Sequence, residues 1–155
     1  MNEPAVEVRF QRRAFAELSA ETLHEILRLR GDVFVVEQRI WQENDLDGRD
    51  TQALHILGRN PSGELVATAR MLQDDSPIEV GRIVVREDLR ERGVGSALMA
   101  YIERLLGPCT AVMSAQAHLE GWYTKRGWVR EGEVYDEVGI PHVRLVRPGT
   151  PPETP

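Results

Sequence analysis

Apolar and polar residues alternate through Val6 to Phe10, and that period of two predicts a first strand. Further on the period lengthens. Leu23, Ile26 and Leu27 fall on one helical stripe, and Ser19 stands where an N-cap belongs, so a helix is predicted through about Arg30. Val33-Phe34-Val35-Val36 has strand propensity, but only Gly31 separates it from that helix, and it reads as a short helix. Asn44 to Asp50 is an acidic loop. Ala53–Arg59 and Glu64–Gln73 read as strands around Asn60-Pro61-Ser62-Gly63, a strong turn. Asp74-Asp75-Ser76-Pro77 predicts the next turn and Ile78–Val85 the next strand. Links this short imply an antiparallel meander.

In the second half, Ala97, Leu98, Tyr101, Ile102 and Leu105 recur at helical spacing, and Gly107-Pro108 ends that helix. Thr110 to Gln116 is an apolar strand. Strand, helix and strand then form one crossover unit, which sets 78–85 and 110–116 parallel and close together. Ala117 to Arg126 predicts another helix, stopped at Gly127. Val129–Val138 and Val143–Arg147 are the last predicted strands, joined by Gly139-Ile140-Pro141. Four prolines in residues 148–155 predict a loose tail after a single domain over residues 1–147. The expected fold is α/β, a mixed sheet of about seven strands flanked by about four helices.

Length and charge narrow the function. A chain of 155 residues is one domain's worth and buries about two thirds of its unfolded surface. No apolar run approaches the roughly 18 residues of a membrane span, and Met1-Asn2-Glu3-Pro4 lacks the pattern of a secretory leader. One cysteine, Cys109, forms no internal disulfide and reads as a small core residue, so a reducing cytoplasm is expected. The net charge of -6 argues against a nucleic-acid partner and suits a cationic substrate or simple solubility. The four histidines lack metal-ligand spacing.

The candidate chemistry lies between Val80 and Leu106. Ile83-Val84-Val85 runs into Arg90-Glu91-Arg92-Gly93-Val94-Gly95-Ser96, and a helix follows. Unpaired amides and the positive end of the helix dipole make such a start a site for a phosphorylated ligand. No Gly-Lys-Ser/Thr follows, so the loop is not a Walker loop. Leu98 stands where a dinucleotide fingerprint has its third glycine. Alone, the loop could be an ordinary helix start.

Its neighbours add more. Arg90-x-x-Gly93-x-Gly95, then Gln116, Tyr123 and Gly127-Trp128, together resemble the GCN5-related N-acetyltransferase (GNAT) superfamily. Gln116 replaces the more usual asparagine and keeps the amide. Arg30-Gly31-Asp32-Val33-Phe34-Val35-Val36-Glu37-Gln38, Asp47-Gly48-Arg49-Asp50 with His55, Gly81 to Val85, Ser114 to His118 and Gly139 to His142 resemble the ElaA-like subgroup.

The resemblance implies a splayed sheet, acetyl-coenzyme A as donor and a small-molecule or peptide amine as acceptor, with a homodimer left open. It implies that Arg90, Glu91, Arg92, Gly93, Val94, Gly95 and Ser96 hold the pyrophosphate, with the arginines adding charge. It implies that Ile83, Val84 and Val85 pair with the pantetheine arm, that an N–H near Val84 or Val85 stabilises the oxyanion, and that Gln116 and Tyr123 form the opposite wall. Tyr123 becomes the general acid for the leaving thiolate, although spacing alone reads it as a core tyrosine. Glu79 takes the place of the base of histone-type members, with Glu37, Asp47, Asp136 and His142 as alternatives. His55 reads as a structural histidine. The rival to an enzyme is a non-catalytic acyl-coenzyme A sensor.

Overall fold

The computed structural model describes residues 6–73 and 77–150. Strand β1 (Arg9–Ala14) leads to helix α1 (Ala20–Arg30) and a wide helical segment, Gly31–Glu37. Strands β2 (Ala53–Arg59), β3 (Leu65–Leu72) and β4 (Ile78–Val85) form the expected meander. Helix α2 (Val94–Leu106) crosses over to β5 (Ala111–Gln116), and a short α3 (Glu120–Thr124) precedes β6 (Val129–Arg130), β7 (Tyr135–Glu137) and β8 (Ile140–Arg147). The described residues form one mixed sheet of eight strands, in the order β1-β2-β3-β4-β5-β8-β6 with β7 on β8. Among these pairs only β4 and β5 run parallel.

Each face of the sheet carries its own core. On one face Leu98, Met99, Ile102 and Leu106 of α2 pack on Ala67, Ala69 and Met71 of β3. On the other, Ile26 and Leu29 of α1 and Val33 pack on Leu57, Leu65 and Val84. β3 is buried along its whole length because both faces are covered. Full burial of each large side chain contributes about 1.5–3 kcal/mol. Gly58 of β2 lies beneath Phe10, and a Cβ there would meet the ring at 2.9 Å, so a side chain at this position would force the ring to shift.

Several elements differ from the sequence reading. β1 begins at Arg9, not Val6, because its partners on β2 run from Arg59 to Leu54. The Val33 segment is helical as read, but wide: the Gln38 N–H donates to Val33 O and the Ile40 N–H to Phe34 O. The helix read over 117–126 is broken into a tight turn, Ala117–Leu119, and α3. The strand read over 129–138 is interrupted at 131–134, and β8 starts three residues early, at Ile140. Cys109 is exposed, not a core residue, since it lies in the turn after α2. The predicted tail begins anchored: Gly149 N–H donates to Thr110 Oγ1 and Thr150 N–H to Pro108 O. The turn at Asp74 to Ser76 and the last five residues of the tail lie outside the described residues.

Among the described residues, no helix is long and apolar enough to cross a membrane.

Candidate active site

β4 and β5 pair only at Ile78↔Ala111 and Glu79↔Val112. Beyond that point they part. The cause is local: two residues of β4, Arg82 and Ile83, oppose the single Ala69 of β3, and Arg82 has φ +50°. Such a bulge bends the strand and raises its twist. Left-handed backbone at a non-glycine residue costs about 1–3 kcal/mol and persists where its surroundings hold it. Here Asp45 holds the Arg82 guanidinium at 2.8 Å. The expected splay is therefore present, with Arg82 in the unusual conformation. A cleft of about 420 Å3 opens between the strands.

The edge of β4 faces this cleft. The Arg86 N–H donates to Val66 O on the β3 side. By alternation, Val85 and Ile83 turn their polar groups the other way, toward the gap, while those of Val84 serve β3. The Arg90 guanidinium confirms the direction by donating through Nε to Val85 O at 3.1 Å.

At the end of β4 the glycine loop turns into α2. Gly93 has φ +85° and caps the helix, and no side chain caps the first amides. Glu91 also has positive φ, at 62°. Successive unusual turns of this kind direct backbone N–H groups into one concavity suited to an anion. Val94 is buried beneath the loop, while Gly95 and Ser96 lie at its surface. Arg90 Nη1 lies 2.6 Å from Glu37 Oε2, so its side chain also ties the loop to the wide helical segment.

The opposite wall comes from β5 and the residues after it. Gln116 lines the cleft, with Nε2 3.4 Å from Gln38 Oε1. Tyr123 also lines it and is buried, and burial pushes its phenol up to about 12, against the opposing pull of Arg126. A phenol so placed stays protonated at neutral pH and can serve as a proton donor. Gly127-Trp128 closes this wall from behind: Trp128 is fully buried and donates through Nε1 to Glu103 of α2 at 3.0 Å.

On the other side of the sheet the structure brings together residues that the sequence left apart. β5 and β8 pair so that Gln116 faces His142, and the β7–β8 hairpin sets Tyr135 opposite His142 and Glu137 opposite Ile140. His142 Nδ1 lies 2.7 Å from Ile140 O, and its Nε2 lies 3.3 Å from Glu137 Oε2. Ser114 Oγ donates to the same Glu137 oxygen at 2.9 Å. Ser114, Glu137 and His142 all line the cleft. Ser114 and Glu137 had no role in the sequence reading. Ser114 could have been found from its alternation with Gln116, but Glu137 is brought in only by strand pairing.

The other candidate bases are differently placed. Glu79 is exposed, is not among the cleft residues, and faces Arg49 at 3.3 Å. Glu37 is held by Arg90. Asp47 is gripped by Arg70, whose hydrogen bond holds its carboxyl well below the usual carboxylate range. Asp136 accepts from the Gly139 N–H in the β7–β8 turn. His55 is buried with Nε2 2.8 Å from Asp50 O, and burial lowers its pKa, as befits a structural histidine.

Asp45, Asp47 and Asp50 pin the acidic loop to Arg30, Arg70 and Arg82, which come from α1, β3 and β4. The loop is thereby fixed as the roof of the cleft, and Glu43, Asn44 and Asp45 line it.

A split parallel pair, an uncapped glycine loop and a buried tyrosine in the opposite wall agree with what known proteins indicate. Residues 31–147 match the family described as "Acetyltransferase (GNAT) domain". The chain belongs to the GNAT acetyltransferases, whose class chemistry is acyl transfer from a coenzyme A thioester. Within them it falls in the ElaA-like subgroup. It is 41% identical over 144 residues to protein ElaA of Escherichia coli K12, covering 85% of this chain and 91% of that one. The crystal structure of Escherichia coli ElaA superposes with a TM-score of 0.83, covering 91% of this chain and 99% of the other. An acyl-CoA N-acyltransferase from Pseudomonas aeruginosa, 33% identical, also superposes with a TM-score of 0.83 over the same shares.

Proposed function

We propose that this protein moves an acetyl group from acetyl-coenzyme A to an amine by direct attack within a ternary complex. The observation that carries this reading is the cleft, which runs through the sheet from one face to the other. The glycine loop and Tyr123 lie toward the α2 face, and an acidic roof lies toward the α1 face. The residues present fit the donor. Amides from Arg92 through Ala97 hold the pyrophosphate, with Glu91, Gly93, Val94, Gly95 and Ser96 shaping the turn. The cleft-facing edge of Ile83 and Val85, backed by Val84, takes the pantetheine amides as a strand edge takes another strand.

Coenzyme A thioester supplies an activated acyl group. The N–H of Val85 is the oxyanion donor on that edge, Gln116 bridges the far wall, and Tyr123 gives its proton to the leaving sulfur. Glu79, turned toward Arg49, reaches the acceptor only through intervening water. Glu43 and Asp45 favour a cationic acceptor, a small amine or a peptide amine. An acyl-coenzyme A sensor would bind the donor without consuming it.

The test is thiol release and acetylated product across a panel of amines, alongside the melting temperature. Acetyl-coenzyme A at 100 times its Kd should stabilise the protein by about 2.7 kcal/mol. No shift at millimolar ligand refutes the donor. A shift without thiol release from any amine supports the sensor.

A further inference from the structure

We propose that His142, oriented by Ile140 and partnered by Glu137, takes the proton from the acceptor ammonium. This rests on the transfer reading above and supplies the base that Glu79 is poorly placed to be.

A carbonyl oxygen only accepts, so the 2.7 Å contact to Ile140 O requires that Nδ1 carry hydrogen. In the neutral ring Nε2 is then a bare acceptor. Yet Nε2 faces a carboxylate oxygen 3.3 Å away. Two acceptors gain nothing from that contact. It becomes favourable once Nε2 has taken up a proton, so the site is built for the protonated product of a base.

The carboxylate is itself held. Ser114 Oγ donates to Glu137 Oε2 at 2.9 Å, so the hydroxyl of Tyr135 must donate to Ser114 Oγ. Tyr135 also stacks on the imidazole, with ring centroids 6.2 Å apart. Gln116 faces His142 from β5. Glu43, Asp45, Arg82 and Arg90 are the other charged groups that line the cleft, and His118 is a further titratable one. Glu137 is a positioning residue, and His142 is the catalytic one.

Met113 and Ala115 of β5 and Val143 and Leu145 of β8 point into the α2-side core, where Tyr123 is packed. Gln116 and His142 therefore project to the other face. Tyr123 and His142 thus approach the split from opposite faces of the sheet. R–NH3+ gives a proton to His142 Nε2, and the freed lone pair forms the C–N bond. The C–S bond then breaks, and sulfur takes the Tyr123 proton. The nitrogen's surplus proton restores the phenol, and the imidazolium releases its proton to water.

The experiment compares wild type, His142→Gln and Glu137→Gln on a strongly basic alkyl amine and on a weakly basic aromatic amine that is already neutral at pH 7. With the alkyl amine, His142→Gln should lower kcat about 100-fold at pH 7 and lose the acid limb of the pH profile, while KM for acetyl-coenzyme A holds within twofold. Glu137→Gln should lower kcat about tenfold. The aromatic amine should lose less than threefold. Equal losses on both amines, or an unchanged alkyl-amine rate and profile, overturn the assignment. If His142→Gln fails to fold, the two-amine comparison on Glu137→Gln decides. Wild type that releases no thiol with any amine refutes the transfer reading itself. An active wild type with indifferent variants refutes only the dyad.

Discussion

Arg90 Nη1 lies 2.6 Å from Glu37 Oε2, and the same guanidinium donates through Nε to Val85 O at 3.1 Å. One side chain thus joins the glycine loop, the open edge of β4 and the wide helical segment. Arg90→Ala should uncouple all three and raise the Kd for coenzyme A about fivefold, near 1 kcal/mol. Glu37→Gln should do less, because the pair is half exposed. Titration calorimetry ranks the two, and a larger effect from Glu37→Gln would contradict this coupling.

Tyr123→Phe keeps the ring and removes the proton. We expect kcat to fall about 100-fold while the Kd for acetyl-coenzyme A changes less than twofold. Because burial lifts the phenol to about 12 from its unfolded value near 10, the folded state holds that proton more tightly. Its contribution is full below pH 10 and is lost as pH rises toward 12, an effect of roughly 2–3 kcal/mol. Urea melts at pH 9 and 11.5 should diverge for wild type more than for Tyr123→Phe.

Gly93 has φ +85° at the start of α2. Gly93→Ala places a Cβ in that strained region and should cost about 1–2 kcal/mol. A Cβ there meets nothing within 4 Å, so the penalty is conformational and not steric. Denaturation reports the loss, and with the loop holding the pyrophosphate as proposed, coenzyme A affinity should fall with it.

Asp50 lies between Arg30 and Arg70, which are only 1% and 4% exposed. Burial alone would raise its pKa, and the two arginines overcome that and lower it. Asp50→Asn leaves both guanidiniums short of a charge and should cost about 3–5 kcal/mol by denaturation. Asp47 is lowered as well, chiefly by its bond to Arg70. Groups depressed in this way stabilise the fold above their unfolded value and lose that contribution as pH falls. Wild-type stability should therefore decline below about pH 4, and the decline should be shallower in Asp50→Asn.

Much of the fold, and the glycine-loop side of the cleft, was legible in the linear order of residues. Ser19 accepts from the Thr22 N–H at the head of α1, Leu98 and Ile102 form the buried stripe of α2, and the Asn60 to Gly63 turn joins β2 to β3. These features depend on neighbours within a few positions, so periodicity and turn chemistry report them directly. Gly93 and Gly95 at a helix start, with Gln116 and Tyr123 downstream, likewise form a local spacing.

Tertiary structure decided what pairing across the sheet controls. The bulge at Arg82 depends on register with Ala69, and the pairing of Arg90 with Glu37 joins residues 53 positions apart. Glu137, Ser114 and His142 meet only because β5, β7 and β8 adopt one register. A strand's period of two tells which face a residue takes, but it does not tell which strand lies beside it. The glycine-loop end of the cleft is therefore written along the chain, and the end at Ser114, Glu137 and His142 is assembled by the sheet.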